Sequence, residues 1–590
     1  MKKENYKTKW DLGLLYKSEN DPQIDKDVKK VETLFSGFEK KYKGKDFTST
    51  AKRLSAALKE YEEVAGVSDS KGLIYFLLAK DIDTTNSTIS AKESVINQRL
   101  QKAYNKIKFL ELDIALLPKS TQTAYLKDPL LKHFNYFLKK IFDTAKYNLS
   151  EKEEKLLGLV RQTSSSMWVD ANKKLLSEQT VPHNGKMIPI SEAVEIIPEL
   201  PKEKRRALRR AVNGKLKAMS FLTEAEINAV YNFKKLVDEE RGFKNPYTST
   251  VLGYENDEKE IEALVKSTTK YFSASRKYYK LHAKLLGEKK LEVADLYANI
   301  GEIKKKFDFD SSVKLVKNTF TKFGPEYANI LDSYLAKGQI DVYPGQKKRG
   351  GGYCMSNADL PTFVLLNFAD NIKSVETLAH EMGHAFHGEL SRKNSPLYRD
   401  YTISVAEVAS TFFEQFVSDE LMESLSEEEQ MVLLHQRVGR DIITVMRQIA
   451  CFNFELELHQ KIRVEGKLSK EDMAVLMNKH MHSYMGDAVE LNEEDGYLFV
   501  YWSHIRRFFY VYSYAYGLLI SRTLYEKWKS DKSYKAKIEQ FLSAGGSMSP
   551  KDIFKSIGIN TNEAFFEAGL KGIEADIIKL EKLAKKYKKI

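Results

Sequence analysis

Cysteine is nearly absent from this chain of 590 residues: Cys354 and Cys451 are the only two, and neither sits in a Cys-x-x-Cys pair. Two such thiols build no disulfide framework, so stability has to come from a buried apolar core, and the expected compartment is the reducing cytoplasm. Proline (13) and glycine (30) are also sparse, which leaves room for long helices. No apolar run reaches the roughly 20 residues of a membrane span, and Met1-Lys-Lys-Glu-Asn-Tyr-Lys7 lacks the apolar core of a secretion leader. No membrane partner is expected.

Acidic residues fall short of basic ones, 82 against 94, for a net charge of +12. That excess raises the question of nucleic acid. The basic clusters at 202–210, 304–306 and 579–589 belong to helical segments, and elsewhere Lys alternates with Glu, as from Glu151 to Lys155. With no recognisable nucleic-acid module, these read as solvated helix faces, and no nucleic-acid partner is expected. Hydrophobic residues at 42% and charged residues at 30% describe a globular protein.

Against that background one stretch stands out. Residues 375–390 contain His380, Glu381 and His384 in the order His-Glu-x-x-His. Composition alone, with 11 His, puts this pattern in roughly one or two of a hundred such chains. Val375, Leu378, Ala379, Met382, Ala385 and Phe386 recur at three- and four-residue steps, which predicts a helix with one buried face. Positions four apart stack on a helix, so His380 and His384 can offer two imidazole nitrogens to one zinc ion, and Glu381 is placed to act on the attacking water. His387 reads as structural.

The pattern calls for a third protein ligand, usually an acid on a following helix. Glu407 lies 23 residues beyond His384, in a second helical stretch at 401–416. A bland alternative competes, because Ser404-Val-Ala-Glu407 is also a capping-box pattern. Glu389 and Glu414 are the other candidates, Glu414 being seven residues past Glu407 and on its face.

With these residues in view, the chain resembles the oligoendopeptidase F group of zinc metallopeptidases, within the thimet oligopeptidase-like superfamily. The resemblance is carried by Leu378-Ala-His-Glu-Met-Gly-His-Ala-Phe-His387 and Ala406-Glu-Val-Ala-Ser410. Trp10-Asp-Leu12, Arg241-Gly-Phe243, Met446-Arg-Gln448 with Phe454-Glu455, and the aromatic run 509–514 extend it over nearly the whole length. It implies one Zn2+ per chain on His380, His384 and Glu407, Glu381 as general base, and a functional histidine ahead of the aromatic run, a place that His504 matches. It also implies a mainly α, two-lobed body with a deep substrate channel. Ile505-Arg-Arg507 departs from the aromatic-rich stretch that usually follows that histidine. Tyr510 and Tyr514 share one helical face and Tyr512 and Tyr516 another, and the first pair is assigned with His504 to the reaction's oxyanion.

From 25 to 200 one helical segment follows another, broken at Pro118, Pro129 and a turn at Asn184-Gly185. Residues 1–197 read as an N-terminal helical lobe and 198–590 as the catalytic domain. After Asp341 the chain turns rich in glycine, and 353–357 and 362–366 read as strands of the one small sheet expected, just ahead of the metal helix. An exposed edge there could hold a substrate backbone in extended form, with Gly350–Gly352 allowing close approach.

The expectation is a zinc-dependent metalloendopeptidase cutting internal bonds of short, unfolded peptides. A zinc carboxypeptidase or peptidyl-dipeptidase is the nearest alternative and needs a cation for the substrate's terminal carboxylate, with Arg447, Arg506 and Arg507 as candidates. A non-catalytic, peptide-binding helical protein with a structural zinc is the other, and it leaves Glu381 without a role.

Overall fold

The computed structural model describes residues 6–67, 71–357 and 359–590. The N-terminal residues 1–5, on which part of the leader question falls, lie outside the described residues. Helix follows helix, as the scarcity of proline and glycine predicts. Pro22–Tyr42, Ala51–Gly66 and Ser87–Asn105 each start where Asp21, Thr50 or Asn86 accepts a backbone N–H of the first turn. Pro118 ends one helical stretch and precedes the next at Lys119–Tyr125, while Pro129 opens a 3-10 turn.

Contacts gather the chain into two compact units, each built from three stretches. Unit 1 takes Met1–Asn148, Lys305–Leu421 and Leu524–Ile559; unit 2 takes Leu149–Lys304, Met422–Thr523 and Asn560–Ile590. The 1–197 and 198–590 division follows chain order, whereas these units interleave in sequence.

In unit 1 the sheet has three strands in the order β4-β6-β5: β4 (Ile340–Asp341), β5 (Tyr353–Met355) and β6 (Phe363–Leu365). β6 runs parallel to β4 and antiparallel to β5. Its residues are fully buried, and Phe363 and Leu365 join the core that Phe35, Leu54 and Leu110 form. Trp10 pins the N-terminal segment to this sheet: its indole N–H donates to the carbonyls of Gln339 and Val364, at 3.1 and 2.9 Å. That contact gives the Trp10-Asp-Leu12 match a structural reason.

Unit 2 is organised on a 40-residue helix, Lys202–Arg241, closed by Gly242 in the left-handed region at φ 72°. Inside it Glu226 holds Arg506 in a buried two-pronged ion pair of 2.9 and 2.7 Å.

The expectation of a single small sheet is corrected, since two further pairs of strands exist in unit 2. β1 (Thr180–His183) and β2 (Lys186–Pro189) form a hairpin around Asn184-Gly185, both at positive φ. A two-residue loop of that conformation matches the twist of its strands, so the turn signal carried a hairpin with it. β3 (Leu291–Glu292) and β7 (Val489–Glu490) pair in parallel over two residues, too short for an alternation to show in the sequence. No helix among the described residues is long and apolar enough to cross a membrane.

Candidate metal centre

The His-Glu-x-x-His motif lies on the helix Ile372–Ser391, which Asn371 caps by accepting the Ser374 N–H at 2.9 Å. The predicted apolar face is fully buried from Val375 to Phe386, and the Phe386 ring packs edge-on against Phe320 and Tyr327, 5.0 Å from each. His380 and His384 fall at the margin of that face, part-exposed.

A second helix, Ile403–Glu423, packs against the first unusually closely. A Cβ on Gly383 would stand 2.7 Å from Ser410 Cα and 2.9 Å from Ala409 O, so only glycine lets the two backbones meet there. Glu407, one turn before Ser410, is thereby brought over the histidines. Its Oε2 is 3.5 Å from His380 Nε2 and 3.9 Å from His384 Nε2, and it accepts a hydrogen bond from Ser410 Oγ at 3.2 Å. The carboxylate that a capping box would turn back onto the helix start is aimed at the two rings.

One ligand atom from each of His380, His384 and Glu407 lies within 4.8 Å of the others, the one such group of three among the described residues. Two imidazole nitrogens and a carboxylate oxygen are the donor set of a catalytic zinc site with a position left open, so the residues fit that ion. Glu414, an alternative ligand on sequence grounds, sits behind His380, its Oε2 2.9 Å from Nδ1. Glu389, the other alternative, is engaged by Tyr334, Thr362 and Arg392.

Burial lowers the pKa of His380, but the Glu414 hydrogen bond and the charges of Glu381 and Glu407 outweigh it and raise it to about 9. His384 is held well below the usual range by burial and by His380. Burial pushes Glu381 up to about 7, against the opposing pull of His380 and with the help of Glu407. Glu381 Oε2 is shielded and has no hydrogen-bond partner. His387 is fully buried with both ring nitrogens unpartnered, stacked on Tyr401 at 3.5 Å, and burial pushes it down to about 3.

All four motif residues, His380, Glu381, His384 and Glu407, line one cavity of about 490 Å³. The edge strand β5 and its flanks supply another wall, through Gly352, Tyr353, Cys354, Ser356 and Asn357. A Cβ on Gly352 would stand 3.1 Å from Glu381 Oε1 and 3.0 Å from Thr377 Cγ2, so this glycine seats the strand against the acid. Cys354, distant from the motif in sequence, shares the cavity but is not in the donor group.

Within unit 2, His504, Tyr510 and Tyr514 form a cluster. Tyr510 and Tyr514 meet edge-on at 5.2 Å, and Tyr514 OH is 3.5 Å from His504 Nε2. The tyrosines do not share a helix, which is a correction: the helix starts at Tyr512, and Tyr510 follows Phe508 and Phe509, both at positive φ. That strained turn is held by Thr250 Oγ1 donating to Phe508 O and by Phe509 N–H donating to Glu455, each at 2.7 Å. Tyr512 and Tyr516 are fully buried and hydrogen-bonded to Asn256 and Glu260.

Trp502 does something the sequence reading missed. Its indole N–H donates to His504 Nδ1 at 3.0 Å, and because indole can only donate, the neutral ring carries its proton on Nε2. Burial and nearby arginines lower the His504 pKa, which keeps the ring neutral.

A family model described as Peptidase family M3 matches residues 205–571, and one described as Oligopeptidase F matches 113–178. An oligoendopeptidase F homolog of Lactococcus lactis is 25% identical, the match covering 98% of each chain. The oligopeptidase PepF of Bacillus subtilis is 26% identical, over 98% of this chain and 88% of its own. A crystal structure from Chlamydophila abortus superposes with a TM-score of 0.84 at 21% identity, covering 98% of both chains. Oligoendopeptidase-F from Enterococcus faecium does so at 0.72 and 20%, covering 96% of this chain and 99% of its own. The chain belongs to peptidase family M3 and is a metallo-oligopeptidase of the oligoendopeptidase F group.

Proposed function

We propose that the protein is a zinc-dependent endopeptidase that hydrolyses internal bonds of short, unfolded peptides. The observation that carries the reading is one cavity holding the His380, His384 and Glu407 donors beside a carboxylate, Glu381, with an unpartnered buried oxygen. His380, His384 and Glu407 would hold the ion, and Glu414 would fix the His380 ring by its bond to Nδ1. Bound there, zinc supplies Lewis acidity, which eases deprotonation of water and polarises a carbonyl.

Glu381 accepts the proton of the attacking water and returns it to the leaving amine, work suited to an acid with a pKa near 7. β5 offers its free edge to an extended peptide, giving grip through main-chain bonds without demanding one side chain. His504, as an Nε2–H donor, and the phenols of Tyr510 and Tyr514 are assigned to the oxyanion. The division of labour between a helical lobe at 1–197 and a catalytic domain at 198–590 belongs to the same reading. Two unpaired thiols suit a cytoplasmic protein.

For the exopeptidase alternative, Arg506 is already committed to Glu226. The test is a short peptide blocked at both ends, given to the wild type and to Glu381→Gln. Internal cleavage by the wild type alone supports the reading, and trimming of free-ended peptides only would replace it.

A further inference from the structure

Glu455 is half of the Phe454-Glu455 pair that carries part of the family resemblance, and the proposed reaction gives it no task. It is fully buried. Its one hydrogen bond among the described residues takes the N–H of Phe509 at 2.7 Å, and its other carboxyl oxygen has no partner. Burial raises its pKa well above the usual carboxylate range, against the Phe509 bond and the charge of Lys234. Burying a glutamate is unfavourable, and here its whole hydrogen bonding goes to a single main-chain group.

That N–H belongs to the peptide joining Phe508 to Phe509, and the C=O of the same peptide accepts from Thr250 Oγ1, also at 2.7 Å. Thr250 and Glu455 therefore grip the two ends of one peptide plane. Phe508 stands at φ 42° and Phe509 at φ 60°, a region that residues with a Cβ rarely adopt. Rotating this plane by about 180° would bring Phe509 back to negative φ, so the two bonds hold the peptide against its own preference.

The held peptide sits at a reversal of the chain. The 3-10 turn Ser503–Arg507 carries His504, and the helix Tyr512–Ser530 carries Tyr514. Tyr510 lies between them, its ring 5.5 Å from that of His504 and edge-on to Tyr514 at 5.2 Å. Both flanks are anchored without the peptide: Tyr231 OH donates to Ile505 O at 3.0 Å, Arg506 pairs with Glu226, and Tyr512 OH donates to Asn256 at 2.9 Å. What the peptide plane still sets is the direction in which Tyr510 leaves the chain. From this geometry we infer that Glu455 is a positioning residue for the reaction, holding the Phe508–Phe509 peptide in the orientation that brings Tyr510 against His504 and Tyr514. The inference rests on the reading that assigns Tyr510 to the oxyanion; the grip on the peptide does not.

The test is steady-state hydrolysis of an internally quenched peptide, blocked at both ends, by the whole zinc-loaded chain. Wild type is compared with Glu455→Met, Glu455→Gln, Tyr510→Phe and the double variant Glu455→Met with Tyr510→Phe. Tyr510→Phe alone lowers kcat by about 100-fold, as loss of one oxyanion donor does. Glu455→Met lowers kcat by about 10- to 100-fold with KM changed by less than about twofold, because the phenol is displaced and the groups that grip the peptide are not. Glu455→Gln keeps a carbonyl oxygen for the Phe509 N–H and restores most of kcat. On top of Tyr510→Phe, the Glu455→Met change costs less than about twofold more, since the group it positions is gone. Thr250→Val releases the other end of the same peptide; it gives the same loss of kcat, again absent on top of Tyr510→Phe, and stands in if Glu455→Met does not fold. Wild-type kcat in Glu455→Met, a loss that Glu455→Gln does not repair, or a loss undiminished on top of Tyr510→Phe overturns the inference. Failure of the oxyanion reading registers differently, as full activity in Tyr510→Phe, which leaves Glu455 nothing to position.

Discussion

Glu414 Oε2 stands 2.9 Å from His380 Nδ1, on the ring edge opposite the Nε2 that faces Glu407. A carboxylate in that place fixes which nitrogen is free for a metal and raises the basicity of the ring. Glu414→Ala is therefore expected to weaken metal binding by about 10- to 100-fold while the fold survives, because the ring loses its orientation but none of its packing. Competition against a chelator of known affinity measures it, and an unchanged affinity would remove Glu414 from the site's design.

Gly383 explains how two helices come close enough to share a metal. Gly383→Ala puts a methyl group 2.7 Å from Ser410 Cα, so the backbone of the facing helix has to shift. The expected result is a loss of about 1–3 kcal/mol of stability together with weaker metal binding, because Glu407 rides on the displaced helix. Thermal unfolding with and without metal checks both. A variant as stable and as avid as the wild type would show that the approach is not required.

Gly352 faces Glu381 across a gap that a Cβ would narrow to 3.1 Å. Gly352→Ala is expected to lower kcat by about tenfold with little change in unfolding temperature, because it displaces the general base and not the core. Equal losses of activity and stability would instead mark Gly352 as a folding residue.

The sequence made the metal helix legible because a binary pattern and a five-residue motif coincide there: each apolar position from Val375 to Phe386 is buried where the spacing placed it. The 23-residue gap to Glu407 carried no geometry of its own, and Ser404-Val-Ala-Glu407 satisfied a capping pattern equally well; only the packing at Gly383 decides where that carboxylate goes. Glu414 behind His380 is a long-range partner whose place depends on tertiary packing that local periodicity does not encode, whereas Trp502 fixes the His504 tautomer from two residues away, across the start of a 3-10 turn, Ser503–Arg507, that no apolar spacing marks. The strands β3 and β7 are two residues each and lie far apart in sequence, so no pattern announces them. Spacing put Tyr510 and Tyr514 on one helical face; the left-handed turn at Phe508 and Phe509, held by Thr250 and Glu455, leaves Tyr510 ahead of the helix start at Tyr512.

A pair of buried histidines in unit 2 sets an acid limit. His435 Nε2 lies 2.8 Å from His282 Nδ1, with Tyr278 OH 3.2 Å from the same His435 nitrogen and Asp295 O 2.9 Å from His282 Nε2. Burial holds His282 down to about 4 and His435 well below its usual range, so both are neutral when folded. The unfolded chain takes up protons below about pH 6.5 that the folded chain refuses, so stability falls as pH drops from there towards 4. For His282 alone the loss between pH 7 and 5 is about 2 kcal/mol. Denaturant midpoints of the wild type and His282→Gln across that range check it, the variant being expected to show the shallower slope.

The central claim is that His380, His384 and Glu407 hold a metal beside which Glu381 moves the proton of an attacking water. Its most direct measurement is hydrolysis of an internally quenched peptide of about ten residues, blocked at both ends, by the wild type, by Glu381→Gln and by chelated protein with and without added zinc. The account predicts internal cleavage by the wild type, near-complete loss in Glu381→Gln despite retained metal, and loss on chelation that zinc restores. Cleavage of the blocked peptide at wild-type rates by metal-loaded Glu381→Gln would contradict it.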